Sequence, residues 1–269
     1  MPATVLLLLA AFVFGPGAWA DTSSNSGEPF YSSASIVNAA ANAAGPIAPN
    51  SIATIYGANL AYATVGVKQQ DLQSGSLPYV LANTGVRVWV NNVAAGIYFV
   101  SPSQVNFLVP SALAPGPAQV VVTVNGRAGP AATITIAPAA PAFFQADAQT
   151  VVAAHADGSP VTHDSPGHPG EIIVLYATGL GQTAPPVVYC ELATKATPIL
   201  NQGGLQVTVA GAAVDPNTIY YAGLAPGFAG LYQINMQLPT SIGGDPEIRI
   251  GVGSQISPPS LIVPVQPQQ

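Results

Sequence analysis

Three histidines, His155, His163 and His168, lie close together in the chain, with Asp157 and Asp164 between them. Imidazole nitrogens and carboxylate oxygens are good ligands for zinc and other transition metals. Convergence of His155, Asp157, His163 and His168 would make a metal centre. The stretch is punctuated by Asp157-Gly158-Ser159-Pro160 and by Ser165-Pro166-Gly167-His168-Pro169, so it reads as loop, and its histidines have no regular spacing. Ser159, His163 and Asp164 offer a hydroxyl, a base and an acid, the ingredients of a hydrolase. No G-x-S-x-G or H-E-x-x-H motif accompanies them. The carboxylates Asp157, Asp164, Glu171, Asp215 and Glu247 show no spacing that pairs any two across a cleft, as glycoside hydrolysis requires. The chain is therefore read as non-catalytic and without a cofactor. A metal-dependent hydrolase on the His155–His168 loop is kept as an alternative.

Binding residues form a second group. Trp89 alternates against Val86, Val88 and Val90, so it points away from the face those valines bury. Trp89, Phe228 and Tyr232 are the candidate ligand-binding aromatics, and a carbohydrate-binding module is the other alternative function. Gln104 and Asn106 recur as Gln233 and Asn235 in matching surroundings, which assigns these amides a structural role, pinning loop to strand. Cys190 is the only cysteine. It leaves the chain without an internal disulfide, and Glu191 beside it disfavours a thiolate.

The elements that must position these groups occur twice. His168-Pro169-Gly170-Glu171-Ile172 through Leu180 repeats Ala48-Pro49-Asn50-Ser51-Ile52 through Leu60 at an offset of 120 (169 − 49, 176 − 56 and 180 − 60). Gly85–Val90 then matches Gly204–Val209, Gln104–Pro110 matches Gln233–Pro239, and Val120–Val124 matches Ile248–Val252. Each segment alternates with period two, the pattern of a strand with one buried face. Asn91-Asn92, Ala210-Gly211 and Asn125-Gly126 supply tight turns. With 27 glycines and 27 prolines as punctuation, the prediction is all-β: two tandem Ig-like β-sandwiches from an internal duplication, with minimal helix. Their expected extents are 35–138 and 139–269. One helix is predicted, over Ser35–Ala44. Between Ile219 and Gln233 the second copy carries seven more residues than the first has between Ile97 and Gln104 (13 − 6). That insertion, around Pro226–Gly230 and tipped by Phe228, is where a binding loop peculiar to one copy is expected.

Residues 1–20 read as a secretory signal: an apolar run Val5–Phe14, too short to span a bilayer, then Ala18-Trp19-Ala20 as a cleavage pattern. Residues 21–34 are expected to be a flexible tail. No later stretch spans a membrane. The net charge is −6, and only 6% of residues are charged. Lys68, Arg87, Arg127, Lys195 and Arg249 are scattered, which excludes nucleic acid as a partner. The chain is expected to be secreted, periplasmic or cell-surface, with an extracellular protein or glycan as partner.

Several short motifs, taken in order, resemble a known family. Val37-Asn38-Ala39-Ala40, Ile47–Ile52, Tyr98–Phe107, Asp157-Gly158-Ser159, Pro169-Gly170-Glu171-Ile172, Tyr176–Gly181 and Tyr221–Gly227 together are similar to the Solibacter-type uncharacterized C-terminal domain of secreted acidobacterial proteins. The resemblance covers about Val37 to Val265. It implies export and a β-rich domain, and it supplies no catalytic residues. The opening of each copy also resembles the IPT/TIG type of Ig-like module, which implies a scaffold or cell-surface role by analogy.

Overall fold

The computed structural model describes residues 27–267; the predicted signal sequence lies outside them. The first half forms β1 Ile36–Asn38, β2 Ile52–Tyr56, β3 Val65–Gly66, β4 Val86–Val90, β5 Val93–Ala94, β6 Gly96–Val100, β7 Gln104–Leu108, β8 Gly116–Val124, β9 Arg127–Ala128 and β10 Ala132–Ile136. The second forms β11 Ala142–Phe143, β12 Ala153–His155, β13 Ile172–Thr178, β14 Thr197–Pro198, β15 Leu205–Val209, β16 Ala212–Ala213, β17 Ile219–Leu224, β18 Tyr232–Gln237, β19 Ile248–Val252 and β20 Gln255–Ile256. Among the described residues the only helices are short 3-10 turns. The fold is all-β, with antiparallel sheets of Ig-like sandwich type.

The duplication is written into the topology. Sheet order β1-β2-β7-β6-β3 in the first half is answered by β11-β13-β18-β17-β14 in the second, and β8-β4-β5 by β19-β15-β16. Registers repeat as well: Tyr56 pairs with Gln104 and Tyr176 with Gln233, while Val90 pairs with Val120 and Val209 with Ile248. Even a β-bulge is copied, at Tyr98 between Ile97 and Phe99 and at Tyr220 between Ile219 and Tyr221. One apolar core joins Ile55, Val88, Phe107 and Val122; another joins Phe143, Leu175, Val207 and Ile250. In each, alternate residues of both sheets of that half point inward, which is the packing that period-two alternation demands.

Two expectations near the N-terminus are corrected. Ser35–Ala44 is not a helix: a 3-10 turn at Ser33–Ser35 leads into β1, which pairs with β2. β-branched Ile36 and Val37 favour the strand. The Asn38 side-chain oxygen then accepts from the backbone N–H groups of Ala40 and Ala41 (2.9 and 3.2 Å), competing with any helix. Nor do residues 27–34 trail freely. Tyr31 is buried, donates to the Pro130 carbonyl (2.6 Å) and accepts from the Val122 N–H (2.7 Å).

The insertion in the second half is not an outward loop. Residues 225–231 dock on the outer face of the first half's large sheet, where Ala225, Ala229 and Leu231 share a third core with Ile52, Tyr98, Leu108 and Tyr176. Tyr98 donates to the Ala229 carbonyl and accepts from its N–H (3.3 Å). Thr178 relays between halves: its hydroxyl accepts from Ile52 N–H (2.9 Å) and donates to the Gly230 carbonyl (2.7 Å). Gly230 sits at φ +70°, and a Cβ there would lie 2.4 Å from Leu108 Cδ1. Phe228 packs against this junction. The free thiol of Cys190 is buried in the same cluster, where burial pushes its pKa up.

Candidate ligand-binding face

Trp89 lies on the solvent side of β4, half-buried, opposite Ala94 on β5 and Val121 on β8. The β4–β5 hairpin closes through Asn91 and Asn92, both in the left-handed region (φ +46° and +64°), the geometry of a two-residue turn that asparagine tolerates. Asn91 is tied to β8: its side-chain oxygen accepts from Gln119 N–H (2.8 Å), and its own N–H donates to the Gln119 carbonyl (2.9 Å). This fixes the turn beside the indole. Trp89, Asn91, Asn92, Gln119 and Val121 line an open recess of about 540 Å³. The recess holds no charged side chain.

The second half repeats this backbone without these side chains. Register places Thr208 where the first half has Trp89, and Ala210-Gly211 where it has Asn91-Asn92. Glu247 stands for Gln119: Ala210 N–H donates to the Glu247 carbonyl (2.8 Å), as Asn91 N–H does to Gln119. The Val121 position holds Arg249, whose guanidinium is turned onto the Ser257 carbonyl (2.7 Å). One scaffold thus carries an aromatic, amide-rimmed recess in one copy and a charged, small-residue surface in the other.

The remaining candidates are not brought to this face. Tyr232 is fully buried, accepts from the Asn50 side chain (3.1 Å) and donates to the Gly181 carbonyl, so it is a core residue and not part of a ligand surface. Phe228 belongs to the junction. The amide pairs run along their strands: Gln104 donates to Asn106 Oδ1 (2.9 Å), and Gln233 to Asn235 Oδ1 (3.2 Å).

The histidine loop is engaged by separate partners. His155 Nδ1 lies 2.6 Å from Glu171 Oε1, His168 Nδ1 lies 2.5 Å from Gln266 Oε1, and His163 Nδ1 lies 3.7 Å from Asp245. Asp157 accepts from the N–H and hydroxyl of Ser159. Among the described residues, no three His, Cys, Asp or Glu side chains stand together to hold a metal ion. Ser159, His163 and Asp164 do not assemble either, since Ser159 turns to Asp157 and His163 to Asp245.

Sequence reasoning missed a different trio, Glu171–His155–Ser165, with the Ser165 hydroxyl 3.3 Å from His155 Nε2. That nitrogen also faces the Ser165 carbonyl at 3.1 Å. Nδ1 thus faces a carboxylate, while Nε2 faces both a carbonyl, which only accepts, and a hydroxyl, which can donate or accept. Burial lowers the His155 pKa, but the bonds to Glu171 and Ser165 outweigh it and the net shift is upward. For Glu171 burial raises the pKa, and the bonds from His155 and His168 N–H outweigh that, for a net shift downward. The His155–Glu171 pair ties β12 to the residue that leads into β13.

Solved structures with some likeness include SGBP-B of the Bacteroides ovatus mixed-linkage glucan utilization locus, in complex with a mixed-linkage heptasaccharide. It is 10% identical, with a TM-score of 0.32, covering 83% of this chain and 44% of that one. SGBP-B from a complex xyloglucan utilization locus in Bacteroides uniformis is 11% identical (TM-score 0.25), covering 88% of this chain and 50% of that one. Domains 5–6 of the S-layer protein SbsC are 11% identical (TM-score 0.27), covering 90% of this chain and 100% of that one. The chain thus spans half or less of the two SGBP-B proteins, and at this level of likeness nothing about ligand or assembly transfers. No curated protein matches the chain. The IPT/TIG domain model matches residues 36–137, from β1 to just past β10, the half that bears the Trp89 recess.

Proposed function

We propose that the chain is a secreted, non-catalytic interaction module of the cell envelope or extracellular space, built as two sandwiches over 35–138 and 139–269. Its binding face is the recess around Trp89. The observation that carries this reading is the contrast between the copies: topology, register and hairpin repeat, yet only the first places a half-exposed tryptophan among amides. A large aromatic left partly open on a sheet face is informative in a way that scattered surface leucines are not. His155 and His168 are held apart, by Glu171 and Gln266, which supports a binding role over the metal-dependent hydrolase alternative. The ordered motifs from Val37 to Val265 support kinship with the Solibacter-type family, and Ala18-Trp19-Ala20 supports export.

The test is expression from the full-length gene in a Gram-negative host, followed by fractionation and N-terminal sequencing. The expected product begins at Asp21 and is recovered outside the cytoplasm. A second arm compares retention of wild type and Trp89→Ala on native envelope material. Loss of retention in the variant supports the Trp89 face, and equal retention overturns it. An uncleaved cytoplasmic product overturns the secreted reading.

A further inference from the structure

The chemistry of the recess names its ligand class. We infer that the Trp89 face binds an uncharged polysaccharide, one sugar ring stacked on the indole and its hydroxyls bonded to the amides of Asn92 and Gln119. The inference rests on the reading of this face as the binding face.

The argument runs from the side chains outward. Indole presents a flat apolar surface with a polar edge, which suits a ligand that is apolar on one side and wet on the other. A pyranose ring has that character: C–H groups on its faces and hydroxyls around its rim. Side-chain amides both donate and accept, as hydroxyls do. The recess is lined by Trp89, Asn91, Asn92, Gln119 and Val121, none of them charged. Its 540 Å³ falls within the range of small-ligand sites. Asn91 is held by its bonds to Gln119, so the turn that presents Asn92 is already ordered before a ligand arrives.

The surroundings fit a chain better than a single sugar. On the same side of the sheet, Gln119 and Thr133 pair one pleat to one side of the Trp89 row, and Arg87 and Thr123 pair one pleat to the other. These rows span roughly 13 Å along the strands, given about 3.3 Å per residue. Thr133 and Gln119 are exposed. A protein partner fits poorly, because a protein interface has a broad apolar centre and this recess offers only Trp89 and Val121 among amides. A polyanion is disfavoured by the net charge of −6. Arg87, the one cation on this face, lies outside the recess lining.

The test uses the chain from Asp21 on, in which Trp89 is the only tryptophan. Its intrinsic fluorescence therefore reports on this site alone. The protein is titrated with soluble β-glucan, xylan and galactomannan, with polygalacturonate as the charged comparison, and run in native gels cast with each polymer. The expected result is a saturable change in Trp89 emission and retarded migration with at least one neutral polymer, and neither with polygalacturonate. Trp89→Ala should abolish retardation. Asn92→Ala and Gln119→Ala should each weaken affinity roughly 3- to 10-fold, the worth of one hydrogen bond. Thr208→Ala, at the matching position in the other copy, should bind as wild type. Circular dichroism confirms that each variant is folded. The inference is overturned if no neutral polymer shifts the emission or migration, if retardation survives in folded Trp89→Ala, or if only polygalacturonate binds. Where envelope retention still depends on Trp89 in those cases, the face stands and the ligand class alone falls.

Discussion

If residues 225–231 clamp the two halves, Gly230→Ala should destabilise the protein well beyond an ordinary glycine substitution. Gly230 has φ +70°. A Cβ in this left-handed region costs about 1–2 kcal/mol. The new methyl would also lie 2.4 Å from Leu108 Cδ1, 3.1 Å from the Asn50 carbonyl and 3.3 Å from Ile52 Cγ1. Leu108 and Ile52 are fully buried, so the leucine end has little room to retreat. Overpacking of this kind costs about 1–3 kcal/mol. The sum is about 2–5 kcal/mol. For a chain of this size, about 1 kcal/mol shifts Tm by 2–4 °C, so the expected drop is roughly 4–20 °C. Gly244→Ala is the control: its φ is +76° and nothing lies within 4 Å of the added Cβ, so it carries the backbone cost alone. Scanning calorimetry of wild type and both variants decides the matter. Equal Tm losses in Gly230→Ala and Gly244→Ala would refute the clamp.

Two further outcomes follow from the geometry. The His155–Glu171 pair makes stability pH-dependent in both directions. The raised His155 pKa contributes stability that is present below its unfolded value, near 6.5, and is lost as pH rises through the folded value. The lowered Glu171 pKa contributes stability present above its unfolded value of 4.5 and lost as pH falls through the folded one. Urea denaturation from pH 4 to 9 should therefore peak between these values, and His155→Gln should flatten the alkaline fall; an unchanged profile counts against the pair. In the amide pairs, Asn106 is 1% exposed whereas Asn235 is half-buried. Asn106→Ala, which takes the acceptor from Gln104, should cost about 1–3 kcal/mol, and Asn235→Ala less, read as the difference in urea midpoints; a larger loss in Asn235→Ala would reverse the assignment.

The duplication could be read from residues because both halves preserve the same alternation and turn positions. Val86, Val88 and Val90 and their counterparts Val207 and Val209 had to face inward once they formed strands, and the registers agree. The outward direction of Trp89 followed from the same alternation. The recess did not. It needs Gln119 beside Asn91, residues 28 apart in the chain that meet only when β8 pairs with β4. Ser35–Ala44 misled because a serine cap before a run of alanines mimics a helix start, while its fate was decided by pairing with β2. The insertion misled in another way: Gly and Pro signal a turn, but they carry no information about what the turn rests on.

Local pattern thus determined that this chain is all-β, that it is built twice, and which residues point away from each core. Those properties depend on backbone periodicity and turn chemistry, which act over a few residues. Tertiary structure alone decided that Phe228 and Gly230 belong to a junction, that Tyr232 is core, that His155 is held by Glu171 and Ser165, and that Trp89 has amides for neighbours. Each of these depends on packing between segments distant in the chain. Such contacts form only where the shape and hydrogen-bonding needs of one segment happen to be met by another, and no short stretch of sequence records its eventual neighbour.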